Sequence, residues 1–368
     1  MNRKLCSALI PDFDGDITIQ TDDHTYDFAQ HPGFFPELFT RMRESGIGNQ
    51  ESGTETSDLS TIPSFHHSTT PRHSFITSNT PTLQHSILHS AWNYPTLPKA
   101  WLPHASDNTR FWVASDHIRR GFIEDGVHED RIAVVSPGFD EEFFHPATDP
   151  WLDINQHTRA SFKFLFMGST HPRHGLDLLV DAYARGFTGQ DDVCLVIKEV
   201  QRPGDPRDEA CLNKIRAVLQ NFDAPEIIHM RITLSEDGLA GLYTACDTLV
   251  YPCRATDFPI AALEAMACAC PVIVPKDGAC AALSPPSRTG DDLVYWLETA
   301  GDTSAATGIP TVRPARDIQL SVESLGQQMR YVMENRDEAR ARAQLGCEYV
   351  RGGFTWKSVA EKVAAMLL

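Results

Sequence analysis

Leu239-Ala-Gly-Leu-Tyr-Thr-Ala-Cys-Asp-Thr-Leu-Val-Tyr-Pro252, followed by Ala261-Ala-Leu-Glu-Ala-Met-Ala267 and Pro271-Val-Ile-Val274, decides the reading of the whole chain. The preceding Leu234-Ser-Glu-Asp-Gly238 introduces a helix over 239–246, because a serine followed by carboxylates suits a helix start. Thr248-Leu-Val-Tyr251 is short and apolar and reads as a buried strand. Residues 261–267 are strong helix formers, and 271–274 make a second buried strand. Helix, strand, helix, strand in this order is the pattern of βαβ units around a parallel sheet.

The same alternation extends outward. Phe162-Lys-Phe-Leu-Phe-Met167 predicts a strand, 176–185 has helical apolar spacing, and Cys194-Leu-Val-Ile197 predicts another strand. Further upstream, Phe111-Trp-Val-Ala114 is a short strand, Ser115 caps a helix that Gly126 closes, and Arg131-Ile-Ala-Val-Val135 is the next strand. From Ile318 to the end the pattern is mainly helical. Pro146, Asp149 and Pro150 interrupt the alternation, which divides the chain into an N-terminal part, 1–150, and a C-terminal part, 151–368. In the first part, residues 36–44 suit a helix stopped by Ser45-Gly46, and 48–82, rich in Ser, Thr and His, suit a long loop.

A chain of 368 residues with 42% hydrophobic content is long enough for two domains with buried cores. Its formal charge of −17 argues against nucleic acid as a partner, since basic residues occur only in short clusters such as Arg119-Arg120. Nine cysteines lie scattered without zinc-ligand spacing, which suits reduced, buried thiols and a cytoplasmic setting. The apolar run near the N-terminus is too short for a secretory signal, and no stretch of about 18 uncharged apolar residues is present to span a bilayer. Peripheral membrane contact remains compatible with these features.

Four segments in order resemble the retaining GT-B glycosyltransferases of group 1, the GT4-like family. They are Trp112 through Phe144-His-Pro146 with Arg131-Ile-Ala-Val-Val-Ser-Pro-Gly-Phe-Asp140; Phe164-Leu-Phe-Met-Gly168 with Arg173-His-Gly-Leu-Asp-Leu-Leu-Val-Asp-Ala182; 239–274; and Phe354-Thr-Trp356. Each alone is a weak motif, and their order and spacing over about two-thirds of the chain carry the resemblance. The N-terminal hundred residues match poorly, so the N-terminal domain is divergent and short. The resemblance implies two Rossmann-like domains facing across a cleft, an acceptor-side domain at 1–150 and a nucleotide-sugar domain at 151–368. A C-terminal helix would return toward the N-domain.

It also implies an activity: transfer of a hexose from a nucleotide-diphosphate sugar with retention of configuration, without a metal or other cofactor. The acceptor would be a glycan, lipid-linked or protein group. On this reading Gly168 ends a strand where the diphosphate approaches the backbone, and the helix carrying Glu264 offers its positive end. Glu264 matches the family's ribose-binding glutamate, since a carboxylate offers two acceptor oxygens to a vicinal diol. The family's other glutamate falls on Thr256, with Asp257 adjacent and Phe258-Pro259-Ile260 in place of its glycines. The basic pair that steadies the leaving diphosphate falls on Ser169 and His174, with Arg173 next door as a bidentate substitute. Lys198 and Arg254 are further phosphate donors, and backbone around Met230 would meet the base. His89 occupies the region of the family's N-domain histidine. The catalytic candidates are therefore His89, Arg173 and Glu264.

Two other readings compete. Asp12-Phe-Asp-Gly-Asp16 resembles both a metal-binding Asp-x-Asp and a phosphatase nucleophile motif, but Asp/Gly clusters next to proline are ordinary turn chemistry. The replacements at Ser169, His174 and Thr256 motivate the second: a GT-B paralogue that keeps the fold as a binding or scaffold protein without transfer.

Overall fold

A computed structural model describes residues 17–21, 73–78, 86–90, 92–104, 109–200, 206–283 and 293–367. The C-terminal part is built on six strands: β6 (Phe162–Gly168), β7 (Val193–Glu199), β8 (Glu226–Met230), β9 (Thr248–Val250), β10 (Val272–Pro275) and β11 (Tyr295–Leu297). Every neighbouring pair is parallel, and the spatial order is β11-β10-β9-β6-β7-β8. This is the doubly wound order whose direction reverses between β6 and β9, where the carboxyl ends of the strands open a crevice.

The strand sequences dictate this placement. Phe162, Phe164 and Phe166 point to one face, where they meet Leu176, Leu179 and Tyr183 of α2 (Leu176–Gly186) and Leu325 and Met329 of α6 (Val322–Glu334). Leu165 and Met167 point to the other, against Leu242 and Tyr243 of α4 (Glu236–Ala245) and Leu263 and Met266 of α5 (Ile260–Ala267). A strand apolar on both faces must be covered by helices on both, and each such side chain fully buried contributes about 1.5–3 kcal/mol. Between β7 and β8 runs α3 (Pro206–Leu219). The α2–α6 crossing is close because both helices present glycine there: a Cβ on Gly326 would stand 3.3 Å from the Ala182 carbonyl oxygen.

The N-terminal part holds a five-stranded sheet in the order β1 (Ile17–Thr21), β2 (His73–Ser78), β3 (Ser86–Ser90), β4 (Thr109–Val113), β5 (Ile132–Val134). The pairs β3–β4 and β4–β5 are parallel, whereas β1–β2 and β2–β3 are antiparallel. Phe111 and Val113 face Ile118 and Phe122 of α1 (Asp116–Glu124). Trp112 faces the opposite way, onto Val359, Ala360 and Val363 of α8 (Trp356–Leu367). The C-terminal helix therefore crosses back to the N-terminal sheet, as the resemblance implies. It enters at Gly138, where a Cβ would lie 2.8 Å from the Trp356 nitrogen.

The structure departs from the sequence reading in several places. Within 48–82, expected as loop, residues 73–78 form β2, pairing Phe75 and Ile76 with Leu88 and Ile87 of β3. Composition alone makes this stretch read as loop, and it becomes a strand by pairing with the β3 edge. The segment 318–368 begins on a strand, β13 (Arg316–Leu320), which pairs antiparallel with β12 (Thr299–Ser304) before α6, α7 (Arg336–Gly353) and α8 follow. Ser115 takes the cap position of α1, yet its side chain makes no capping bond. The helix expected at 36–44, the turn at 12–16 and the side chain of His89 lie outside the described residues. Among the described residues no helix is long and apolar enough to cross a membrane, and the cysteines are buried free thiols.

Candidate functional site

At the reversal point, β6 delivers Gly168 into the turn Ser169-Thr-His-Pro-Arg-His-Gly175. Ser169 is buried and its Oγ accepts a long bond from the His171 amide, 3.4 Å. His171 Nδ1 accepts from the Arg173 amide at 3.1 Å, closing a tight turn over Pro172–His174. A Cβ on Gly168 would stand 3.0 Å from the His174 ring. Gly175 has φ +73°, and a Cβ there would fall 1.9 Å from the Pro252 carbonyl oxygen. The turn after β6 is thus keyed into the loop after β9, and only glycine fits at the contact.

That second loop, 251–259, leads into α5. The Arg254 amide donates to the Arg173 carbonyl at 2.7 Å. The Arg254 guanidinium grips both oxygens of Asp177 in α2, at 2.7 Å each, and also the Pro172 carbonyl, so it holds the turn from outside. Arg173 points the other way: its Nη1 donates to Asn93 Oδ1 at 2.9 Å and to the Ala255 carbonyl at 3.3 Å. This guanidinium bridges the segment after β3 to the loop after β9. Thr256 is buried and donates to the Phe258 carbonyl, 2.9 Å, and Asp257 accepts from the Phe258 amide, 2.9 Å. Burial raises the Asp257 carboxyl above its ordinary range, partly opposed by that amide and by Arg173.

Glu264 is half-buried on α5, and its Oε2 accepts from the Tyr243 hydroxyl at 3.0 Å. The same hydroxyl lies 3.0 Å from Met167 Sδ on β6. Tyr243 therefore ties the helix carrying Glu264 to the strand that ends at Gly168. Burial, then the Glu264 charge, holds the Tyr243 hydroxyl well above its usual range, so it stays a donor.

The sequence candidates fall into two groups. Gly168, Ser169, Arg173, His174, Arg254, Thr256, Asp257, Phe258, Pro259, Ile260 and Glu264 gather on the two loops and the start of α5. Lys198 and Met230 stand farther along the sheet, on β7 and β8, where Met167 pairs with Lys198 and Lys198 with Met230. Lys198 is buried, its Nζ bonds the Glu199 carbonyl at 3.1 Å, and burial lowers its pKa. His89 lies in β3 opposite Ser74 and beside Trp112.

Sequence reasoning did not single out Tyr243, Asn93 or Glu199. The buried Glu199 carboxylate meets His229 Nε2 at 2.6 Å and Arg231 Nε at 3.3 Å beside Met230. A buried carboxylate at a strand end was the one local signal available.

A cavity of about 390 Å³ adjoins this site, with Arg254, Ala255 and Thr256 on one wall and Asn93, Thr96 and His117 among the others. Gly168, His174 and Glu264 are not on its walls. Burial lowers the His117 pKa, so the ring is neutral at pH 7.

Residues 161–307 match the sequence profile of the family described as glycosyl transferases group 1. Mannosylfructose-phosphate synthase of Agrobacterium fabrum (strain C58) is 25% identical over 162 residues, 42% of this chain and 35% of that protein. D-inositol 3-phosphate glycosyltransferase of Corynebacterium glutamicum (strain R) is 29% identical over 156 residues, 40% of this chain and 36% of that protein. The chain spans little more than a third of the length of these relatives. Among solved structures, sucrose-phosphate synthase from Thermosynechococcus elongatus superposes with TM-score 0.54 at 18% identity, covering 70% of this chain and 57% of that one. Anabaena HepE in complex with UDP-glucose gives 0.56 at 15% identity, covering 73% and 66%. At these identities the likeness is one of fold, and the fold is GT-B.

Proposed function

We propose that this chain, whose residues 161–307 match the glycosyl transferases group 1 profile, transfers a hexose from a nucleotide-diphosphate sugar to a hydroxyl acceptor with retention of configuration and without a metal. The observation that carries the reading is Glu264, held by Tyr243 beside the end of β6 at the reversal point of the sheet. There its carboxylate accepts the ribose hydroxyls, and the diphosphate lies along Gly168 and the first turn of α5. Arg173 spends Nη1 on Asn93 and Ala255, and its remaining N–H groups turn to the departing phosphate. In a front-face displacement the bond to the nucleotide breaks as the acceptor oxygen bonds the same face, and the leaving phosphate takes the acceptor proton. The protein then supplies position and charge stabilisation, with no covalent nucleophile.

The test is turnover with a panel of UDP-, GDP- and ADP-sugars, reading nucleotide release and the anomer of any product. A charged hydrogen bond contributes about 1.5–3 kcal/mol, so Glu264→Ala should weaken nucleotide binding roughly 10- to 100-fold. Arg173→Ala should lower kcat more than it raises KM. Nucleotide binding without turnover on any donor would favour the scaffold reading, which Thr256 and Ser169 motivate.

A further inference from the structure

The β12–β13 hairpin stands outside both sheets. Its stem is bonded to the C-terminal half: the Ile318 amide donates to the Arg254 carbonyl at 2.9 Å, Thr299 Oγ1 bonds Asp277, and Ile318 packs on Gly278. Its tip is bonded to the N-terminal half. The Lys99 amide donates to the Pro310 carbonyl, and the Val312 amide donates to the Leu97 carbonyl, both at 2.9 Å. Ala305, Ile309 and Val312 pack onto the cluster of Trp92, Leu97, Trp101 and Phe122.

Arg313 concentrates the attachment. Its guanidinium donates to the Pro95 carbonyl at 2.7 Å, to the Gly121 carbonyl at 2.8 Å and to Asp125, and pairs with Glu124 at 2.6 Å. The Asp125 side chain is fully buried and also accepts from the Leu97 amide and from Thr96 Oγ1. The hairpin and the N-terminal half also face each other across the 390 Å³ cavity, Asp302, Ala315 and Arg316 on one side and Asn93, Thr96 and His117 on the other.

We propose that this hairpin is a fixed strap: it ties residues 92–104 and 109–124 to the six-stranded sheet, roofs the cavity and sets the width of that side of the cleft, with Arg313 as its lock. The argument is one of buried charge. Asp125 is stable in its buried position because Arg313 and two uncharged donors, the Leu97 amide and Thr96 Oγ1, surround it; without the guanidinium, the segment must open to hydrate the carboxylate. The strap requires no ligand and holds whatever reaction the cleft performs.

Amide hydrogen exchange on the full chain, read peptide by peptide, tests this for wild type, Arg313→Ala and Arg313→Lys. Lysine keeps the charge but cannot reproduce the planar fork that reaches two carbonyls and two carboxylates. The expected result is exchange faster by roughly tenfold or more at 92–102 and 116–124 in Arg313→Ala, and an intermediate gain in Arg313→Lys, with β6 and β7 unchanged. Unchanged exchange at 92–124 in both variants would overturn the strap. So would equal acceleration in β6 and β7, which would make Arg313 a general stabiliser. If Arg313→Ala does not fold, Arg313→Lys is read alone by the same criteria.

Discussion

On one side of the cleft, where β6 and β9 end, Arg254 braces the turn from outside, but Ser169 and Arg173 on its inner side are held by few bonds: Ser169 Oγ takes one at 3.4 Å, and Arg173 makes two from a single nitrogen. On the other side, at the hairpin, one guanidinium reaches two carbonyls and two carboxylates, and the carboxylate it grips accepts two further donors. Dense, saturated networks fix a shape, because each bond broken strands a buried partner. Sparse ones can exchange a protein partner for a ligand oxygen at low cost. The contrast assigns rigidity to the hairpin side and adaptability to the β6–β9 side.

The sharpest way to break that contrast is to disturb the backbone that the adaptable side rests on. Gly175→Ala places a Cβ 1.9 Å from the Pro252 oxygen at φ +73°. Neither backbone can yield without moving the turn after β6 or the loop after β9, so a loss of about 3 kcal/mol or more is expected in denaturant unfolding. A change below about 1 kcal/mol would mean the two loops are not keyed together.

How much of this the sequence disclosed follows from distance along the chain. Strands β6, β7, β9 and β10 and helices α2, α4 and α5 are written locally, in apolar runs and in caps such as Ser235, whose Oγ accepts from the Gly238 amide. Glu264 was singled out because it matches the family's glutamate and interrupts an otherwise apolar helix. Its partner Tyr243 was not, since an apolar helix with a tyrosine looks complete without a hydroxyl partner. Arg173 was legible as a cation beside the turn, but Asn93 lies 80 residues away. The hairpin was illegible for two reasons. Thr299-Ala-Gly-Asp-Thr-Ser304 is polar and mostly exposed, with no period to read. The lock between Arg313 and Asp125 joins residues 188 apart.

Two smaller effects probe how the adaptable side is held. Arg254→Ala removes the grip on Asp177, a pair whose side chains are 17% and 25% exposed. At that burial the loss should lie between those of surface and buried pairs, about 2 kcal/mol in unfolding free energy. Nucleotide binding should weaken with it if Arg254 acts by holding the turn, and Arg254→Lys should restore little of either. Tyr243→Phe strips Glu264 of its hydroxyl donor without leaving a cavity, so the cost is smaller, about 1 kcal/mol. Nucleotide affinity, read by calorimetry, should fall a few-fold because one bond that orients the carboxylate is lost. Unaltered affinity would remove Tyr243 from the site.

The smallest effect is the most diagnostic of the electrostatics. Burial is the largest influence on Asp257 and raises its carboxyl pKa, while Arg173 and the Phe258 amide pull it down. With the folded pKa above the unfolded one, the stability this group contributes is full below the ordinary value of 3.8 and is lost as pH rises through the folded value. Asp257→Asn preserves the acceptor for the Phe258 amide and abolishes the titration. It should therefore raise Tm slightly near pH 7, and the gain should vanish as pH falls below the carboxyl range. A variant less stable than wild type at pH 7 but not at low pH would reverse the ranking. Attraction to Arg173 would then outweigh desolvation, and Asp257 would be held by charge, as Asp125 is on the hairpin side.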